Sequence, residues 1–210
     1  MKRIIEITNF SRNAYSVNPR LVPLKQADGK EYVGICSDMS LQSSCGSYID
    51  FPGHIDITDN GLHAGNADIL DFYRRDAWLV RPERTADGAV TLQALQKACA
   101  DMPESIRILV VDILRLNETR EPAAGAGFLE LEAADWLGTL GLTCVVADIY
   151  EKREYEGVFY HLFRSGVSCV CAPDKLWLLP ERELFKLSVI FLPATNAVQT
   201  PCRMIAEVGE

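Results

Sequence analysis

The chain has 210 residues, of which 48% are hydrophobic and 24% charged, the balance of an ordinary globular domain that can bury a core without disulfides or a structural metal. Its formal net charge of −8 disfavours nucleic acid and anionic membranes as partners, because both require basic surfaces. No apolar run approaches the roughly 20 residues of a membrane-spanning helix. We therefore expect one domain over residues 1–210 with a small-molecule partner, no nucleic-acid partner and no membrane partner.

Seven cysteines are scattered along the chain without the regular spacing of a disulfide framework. Cys144 and Cys169 lie inside apolar runs, where a thiol usually behaves as a small buried hydrophobic group. The basic start is followed by only two apolar residues, Ile4 and Ile5, before the acidic Glu6, so no secretory leader is indicated. These features predict a reduced, cytoplasmic protein.

The first third of the chain predicts two strands separated by an arm. Residues 3–8 read as an opening strand. Residues 9–31 are polar and interrupted by Pro19 and Pro23, which favours a long loop or an irregular arm. Residues 32–39 read as a second strand that leads into the stretch with the richest chemistry.

Beyond residue 60, helical and strand patterns alternate. Asn66 and Thr91 are suited to cap helices, helical spacing recurs over 129–140, and residues 117–127 read as a loop. The apolar segments that read as strands are 77–80, 106–114, 142–150, 167–171, 187–192 and 202–208. The alternation predicts an α/β fold with a mixed β-sheet and flanking helices.

Residues 43–54 gather a carboxylate, an imidazole and a phenol within one short stretch. If residues 44–52 are extended, every second side chain shares a face, which places Ser44, Tyr48 and Asp50 together. Pro52 and the following glycine end such a strand and allow His54 to fold back towards that face. The stretch is therefore the main candidate for a functional site.

This stretch resembles the signature of the cyclase family of metal-dependent hydrolases, which includes bacterial kynurenine formamidases and reads His-x-Gly-Thr-His-x-Asp-x-Pro-x-His. The Gly, Asp, Pro and last His match, Ser replaces Thr, and both earlier His are replaced. The aligned positions are Ser44, Gly46, Ser47, Tyr48, Asp50, Pro52 and His54. Residues 141–148 and 201–203 are similar to two later family patterns, and about nine-tenths of the chain can be aligned.

The resemblance implies the α/β fold of the family and a homo-oligomer, a dimer or tetramer. It also implies hydrolysis of a small-molecule amide, formamide or lactone, with Asp50 as the surviving metal-side carboxylate and His54 as the general acid/base. The two-metal site of the family is not expected here, because Ser44 and Tyr48 replace imidazole ligands and hydroxyl groups are poor zinc ligands at neutral pH.

A site for one zinc or manganese ion remains compatible with the resemblance. His161 falls where the family places a ligand of the second metal, and Cys171 aligns with a bridging glutamate. Together with Asp50 they would supply three ligands, the usual minimum for catalytic zinc. Alternatively, Cys171 is simply buried in its strand. The glutamates of the charged run 151–156 either form a solvated surface or contribute one group to the site.

Several alternatives stay open for the other residues. His54 is either an acid/base or an ordinary turn residue, and Tyr48 either donates to a substrate oxygen or packs its ring in the cleft. Ser44 or Cys45 could act as a nucleophile activated by His54. The alternatives to a hydrolase are a metal-free cyclase or isomerase and a non-catalytic relative that binds a small metabolite.

Overall fold

The structure, a computed structural model, describes residues 2–10, 15–116, 127–148 and 157–209. Twelve strands and three α-helices lie within these ranges. The strands are β1 (Arg3–Glu6), β2 (Tyr15–Lys25), β3 (Glu31–Leu41), β4 (Tyr48–Asp50), β5 (Arg75–Val80), β6 (Ala89–Val90), β7 (Ile108–Val111), β8 (Phe128–Leu129), β9 (Cys144–Ala147), β10 (Ser168–Cys171), β11 (Leu184–Phe191) and β12 (Gln199–Val208). The helices are α1 (Leu92–Ala98), α2 (Leu131–Gly138) and α3 (Val158–Phe163).

Seven of the strands close into a mixed barrel in the order β4-β12-β11-β5-β7-β9-β10, with β10 pairing back onto β4. Strands β5, β7, β9 and β10 are parallel neighbours, and the remaining pairs are antiparallel. The predicted mixed α/β architecture is confirmed, but the sheet is closed. Strand β4, which carries the candidate residues, is the strand that closes it.

Both faces of the barrel wall are covered by apolar side chains. In β7, Ile108 and Val110 belong to the core inside the ring, whereas Leu109 and Val111 pack with side chains of the helices on the outside. A strand buried on both faces is expected to be apolar throughout rather than alternating. Burial on both faces therefore explains why the sequence of β7 is a continuous apolar run.

The α-helices of the described residues are shorter than the sequence pattern predicts, and one of them lies elsewhere in the chain. Thr91 caps α1, and its hydroxyl accepts a hydrogen bond from the backbone N–H of Ala94 at 3.2 Å. The helix predicted after Asn66 is instead a single 3-10 turn, Ile69–Asp71, capped by Asp68. Helix α3 was not predicted. All three α-helices contribute to the outer core, so the flanking-helix prediction is matched in part.

Strands β2 and β3 form a hairpin that replaces most of the predicted arm. They pair along all eleven residues of each strand, from Tyr15 opposite Leu41 to Lys25 opposite Glu31. The prediction of a loop over 9–31 is therefore wrong for residues 15–25. Prolines are tolerated at the edge of a sheet, and in a two-stranded ladder both strands are edges, so Pro19 and Pro23 do not prevent pairing.

Two predictions fall mainly outside the described residues. Of the predicted loop 117–127, only Gly127 is described, and none of the acidic residues of the run 151–156 is described. Among the described helices, none has the length and apolar character needed to cross a membrane.

Candidate functional site

The strand that carries the site is shorter than predicted. Gly46 has a backbone φ of +64°, a left-handed conformation that glycine adopts readily and that ends an extended strand. Strand β4 therefore contains only Tyr48–Asp50, and Ser44 lies exposed in the preceding turn. The prediction that Ser44 shares a strand face with Asp50 is wrong for this reason.

Tyr48 and Asp50 point to the outside of the barrel, where they meet two cysteines of β10. Cys171 lies directly opposite Tyr48 and Cys169 opposite Asp50 in the antiparallel ladder. The two sulfur atoms are 3.9 Å apart. Ile49, between Tyr48 and Asp50, is fully buried inside the ring. The alternation predicted for this stretch is confirmed over these three residues.

Asp50 is a buried carboxyl group with defined partners. Only 2% of the residue is exposed, and its Oδ1 accepts a hydrogen bond of 2.7 Å from the Nε2 amide of Gln199. Burial raises the pKa of Asp50, because desolvation disfavours the charged form, while the Gln199 hydrogen bond and nearby His54 act in the opposite direction. The surrounding groups thus hold the carboxyl group in place and partly offset its desolvation.

His54 returns to Asp50 through a single tight turn. Residues Pro52–His54 form a 3-10 turn, and Nδ1 of His54 lies 3.5 Å from Oδ1 of Asp50. The imidazole side chain is 43% exposed, and its ring meets the edge of Phe163 of α3 at a centroid distance of 6.5 Å. One ring nitrogen thus faces a buried carboxyl group while the side chain stays open to solvent.

Tyr48 completes the outward-facing group. Burial is the main cause that raises the pKa of its phenol, and the charge and hydrogen bond of Cys171 raise it further. A phenol with a raised pKa stays protonated at neutral pH and can donate a hydrogen bond. Tyr48 therefore supplies a neutral donor on the same face of β4 as Asp50.

Gln199 is a candidate site residue that the sequence did not reveal. It begins β12, opposite Asp50 in the ladder, and 149 residues separate the two in the chain. Its side-chain oxygen also accepts a hydrogen bond from the hydroxyl of Ser43. No local pattern marks Gln199, so only the pairing of β4 with β12 identifies it.

The structure does not assemble Asp50, His161 and Cys171 into a three-ligand site. Nδ1 of His161, on α3, lies 2.7 Å from Oδ1 of Asp135 on α2, and Arg164 donates to the same carboxylate. Within the described ranges, no three His, Cys, Asp or Glu side chains are grouped so that they could hold a metal ion. In this structure the three predicted ligands therefore do not form a metal site.

The donor groups around Asp50 are also poorly suited to a metal. Oδ1 of Asp50 is engaged by the Gln199 amide, and the Cys169 and Cys171 sulfur atoms contact each other at 3.9 Å. In this arrangement the described residues present no free set of ligands around Asp50, and we assign no step of the chemistry to a metal ion.

A second set of buried carboxyl groups lies where the parallel strands end. Asp112, Asp148 and Asp174 follow β7, β9 and β10 and are each at most 8% exposed. Arg81 pairs with Asp112 at 3.0 Å. Burial, reinforced by the negative charges of Asp112 and Asp174, raises the pKa of Asp148 to about 7. These groups lie outside the Tyr48–Asp50–His54 site, and they surround Asp148 with negative charge, unlike the groups around Asp50.

Comparison with solved structures shows a shared fold over almost the entire chain. A predicted metal-dependent hydrolase from Bacillus stearothermophilus aligns with a TM-score of 0.69 at 15% identity, covering 99% of this chain and 98% of that one. An isatin hydrolase bound to the product analogue thioisatinate aligns with a TM-score of 0.70 at 13% identity, covering 100% and 93%.

A structure described as a novel cyclase aligns with a TM-score of 0.68 at 14% identity, covering 98% of this chain and 88% of that one. No family model and no curated protein matches the sequence. At these identities the likeness establishes the fold alone, and the fold implied by the cyclase-family resemblance is confirmed.

Proposed function

We propose that this protein is a cytoplasmic hydrolase related to the cyclase family, kynurenine formamidases included, that acts on a small-molecule amide, formamide or lactone. The observation that carries the proposal is the placement of the half-exposed His54 imidazole 3.5 Å from the buried Asp50 carboxyl group. The reaction class is supported by the similar structures, two of which are described as hydrolases.

In this mechanism His54 moves the proton. Asp50, fixed by Gln199, orients the imidazole through Nδ1 and stabilises its protonated form, while Nε2 serves as the base. A water molecule loses a proton to Nε2 as its oxygen attacks the substrate carbonyl. The same nitrogen then returns the proton to the leaving nitrogen or oxygen, so the imidazole ends the cycle unchanged.

Tyr48 is the group suited to polarise the carbonyl. Its phenol remains protonated because burial, and then Cys171, raise its pKa. In the mechanism it donates its hydrogen bond to the substrate oxygen on which negative charge develops. A donor placed for the transition state contributes more to the rate than to substrate binding.

The test is hydrolysis of a panel of small formamides, amides and lactones by the wild-type protein and two histidine variants. His54→Ala is expected to lower kcat/KM by roughly 10²-fold or more, the typical contribution of a general acid/base. His63→Ala is the matched control, because His63 is a loop residue whose Nδ1 accepts a hydrogen bond from the Gly65 N–H. Equal activity of the two variants would refute the role of His54.

A panel that yields no hydrolysis by wild type, together with saturable binding of one of its members, would favour the alternative of a non-catalytic metabolite-binding protein. Isomerisation or ring closure of a panel member without water consumption would favour a metal-free cyclase or isomerase. Product analysis by mass spectrometry separates these outcomes, because hydrolysis alone adds the mass of one water.

Use of one zinc or manganese ion is a second candidate, favoured by the description of a similar structure as a predicted metal-dependent hydrolase. It requires the His161 ring to leave Asp135 and turn towards Asp50 and Cys171. Elemental analysis of the purified protein and of Cys171→Ala tests it. About one ion per chain, lost in the variant, supports metal use; absence from both refutes it.

A further inference from the structure

A short turn brings Ser43 to the edge of the candidate site. The chain reverses between β3 and β4, and the backbone N–H of Cys45 donates to the carbonyl of Gln42 at 3.1 Å. The turn continues through Gly46, whose positive φ is a backbone conformation that glycine adopts readily. Ser43 is thereby placed beside Gln199, the first residue of β12, although 156 residues separate the two in the chain.

A buried serine anchors the far end of this turn. Ser47 is 1% exposed, and its hydroxyl donates to the carbonyl of Ala172 at 2.7 Å and accepts from the N–H of Asn9 at 2.8 Å. Its carbonyl accepts a hydrogen bond of 2.9 Å from the N–H of Cys202 on β12. These contacts tie the turn to separate parts of the barrel, so the barrel determines where Ser43 lies.

The side chain of Gln199 connects Ser43 to Asp50. Its oxygen Oε1 accepts a hydrogen bond from the hydroxyl of Ser43, and its Nε2 donates to Oδ1 of Asp50 at 2.7 Å. An amide carries its donor and its acceptor on two different atoms, so neither can change partner without the other. While Ser43 donates to Oε1, it therefore holds the donating nitrogen of Gln199 towards Asp50.

The direction of these hydrogen bonds extends to His54. Oδ1 of Asp50 acts as an acceptor for Gln199, and the same oxygen lies 3.5 Å from Nδ1 of His54. An accepting oxygen at this place favours the form of the neutral imidazole that carries its proton on Nδ1 and leaves Nε2 free to accept. The chain of groups from Ser43 to His54 thus has one direction, in which each donor faces an acceptor.

Removal of the Ser43 hydroxyl weakens this arrangement. Ser43 is exposed and Gln199 is half-buried, so water can replace the hydroxyl at Oε1, but a water molecule is not held in place by the turn. The amide is then free to turn its oxygen towards Asp50, where two acceptors would face each other. Because the net contribution of one hydrogen bond is modest, we expect a measurable loss of orientation and an intact fold.

We propose that Ser43 is a positioning residue of the candidate site, whose hydroxyl fixes the Gln199 amide and, through it, the carboxyl group of Asp50. The proposal rests on the function proposed above, because the imidazole that Asp50 orients is the base of that reaction. It gives Ser43 no contact with substrate, and it distinguishes Ser43 from its exposed neighbour Ser44.

Nuclear magnetic resonance of the His54 ring in the full chain tests the proposal without a substrate. The chemical shifts of the ring nitrogens report which nitrogen carries the proton of the neutral ring, and only three histidines need to be assigned. In wild type the proton is expected mainly on Nδ1. In Ser43→Ala the ratio of the two forms is expected to move towards Nε2–H by roughly fivefold, the effect of one lost hydrogen bond.

Two control variants accompany this measurement. Ser43→Thr keeps a hydroxyl at the same position and is expected to restore the wild-type ratio of the two ring forms. Ser44→Ala removes a hydroxyl from the next residue of the same turn and is expected to leave the ratio unchanged.

Steady-state kinetics on the best substrate of the panel provide a second readout. In Ser43→Ala we expect kcat to fall by roughly fivefold. KM should stay within about twofold of wild type, since the lost group does not touch the substrate. In a Gln199→Leu background, Ser43→Ala is expected to cause no further loss, because the amide through which Ser43 acts is already absent.

The outcomes separate this proposal from the proposed function. If the wild-type ring is protonated mainly on Nδ1 and Ser43→Ala leaves the ratio unchanged, the role of Ser43 is overturned while that of His54 stands. A wild-type ring without a preference for Nδ1 would contradict both, because Asp50 would then not orient the imidazole. A fall in kcat without a change in the ring, or an equal fall in the Gln199→Leu background, would also overturn the positioning role.

Discussion

Two buried carboxyl groups on the barrel, Asp50 and Asp148, have opposite electrostatic surroundings. Asp50 receives an amide hydrogen bond from Gln199 and faces the imidazole of His54, so its negative charge has partners when it forms. Asp148 is buried next to two further carboxyl groups, Asp112 and Asp174, so its negative charge is opposed by its neighbours. In both, burial raises the pKa, but among the described residues neighbours lower it only for Asp50.

This contrast shows why burial alone does not identify a functional acid. A carboxyl group that faces like charges prefers to bind a proton and makes the folded state sensitive to pH. A carboxyl group that faces a donor and an imidazole can instead hold the imidazole in one orientation. Substitutions at these groups and at their neighbours separate the two behaviours.

Among the substitutions that follow, Asp50→Asn should have the largest effect on the reaction. Asparagine keeps the shape of the side chain but cannot stabilise a protonated imidazole, so we expect kcat/KM to fall by roughly 10²-fold, no more than with His54→Ala. Steady-state kinetics on the best substrate of the panel measures the loss. Asp56→Asn is the control, because Asp56 is an exposed acid near the same turn. A loss of less than threefold at Asp50 would contradict its role.

Asp148→Asn should change how stability depends on pH. The folded protein holds a proton on Asp148 up to about pH 7, whereas the unfolded chain releases it near the ordinary value of 3.8. Wild type therefore loses stability from this group as pH rises from about 4 to 7. The free energy of unfolding is measured with denaturant at pH 5 and at pH 8. Between these two pH values it should fall by about 2 kcal/mol more in wild type than in Asp148→Asn.

Asp135→Asn provides a control of opposite sign for that measurement. Burial would raise the pKa of Asp135, but hydrogen bonds from His161 and Arg164 outweigh it and the net pKa is lowered. This group stabilises the folded state above its unfolded pKa and loses that contribution as pH falls.

Equal pH dependence of wild type and Asp148→Asn would show that Asp148 is not protonated in the folded protein.

Gln199→Leu should have a moderate effect that appears mainly in the pH profile. Without the amide, the pKa of Asp50 rises, because the Gln199 hydrogen bond lowers it. The acid limb of the kcat/KM profile is expected to move to higher pH, with activity at neutral pH reduced about tenfold. Gln93→Leu on the exposed surface of α1 is the control. Loss of activity without a shift of the limb would indicate a structural role only.

Ser44→Ala should have the smallest effect. Ser44 is exposed in the turn before β4 and does not share the strand face of Asp50, so we expect kcat/KM to stay within twofold of wild type. Loss of more than tenfold, or failure of a serine-directed reagent to label the variant when it labels wild type, would restore Ser44 as a nucleophile.

Much of the barrel was predictable because its strands are apolar on both faces. The runs that become β7 and β9 are short, continuous and bounded by polar residues, and such runs are typical of buried parallel strands. Closure was not predictable. It depends on pairing between β4 and β12, which are far apart in sequence and are each compatible with other neighbours.

The hairpin was missed for a physical reason of its own. Its prolines at 19 and 23 indicate a loop by local rules. They are compatible with a ladder because, in the part of the chain that the structure describes, no third strand pairs with β2. The site was predicted in part. The Asp50–His54 spacing and the Pro52 turn are local and readable, whereas Gln199 and the engagement of His161 by Asp135 depend on tertiary packing.

A double-mutant cycle tests whether Asp50 acts through His54. We predict that Asp50→Asn with His54→Ala has nearly the same residual kcat/KM as His54→Ala alone, since a positioning residue has nothing left to position. Folding of each variant is checked by circular dichroism. If the two losses multiply instead, the residues act independently, and the account of an Asp50-oriented imidazole is contradicted.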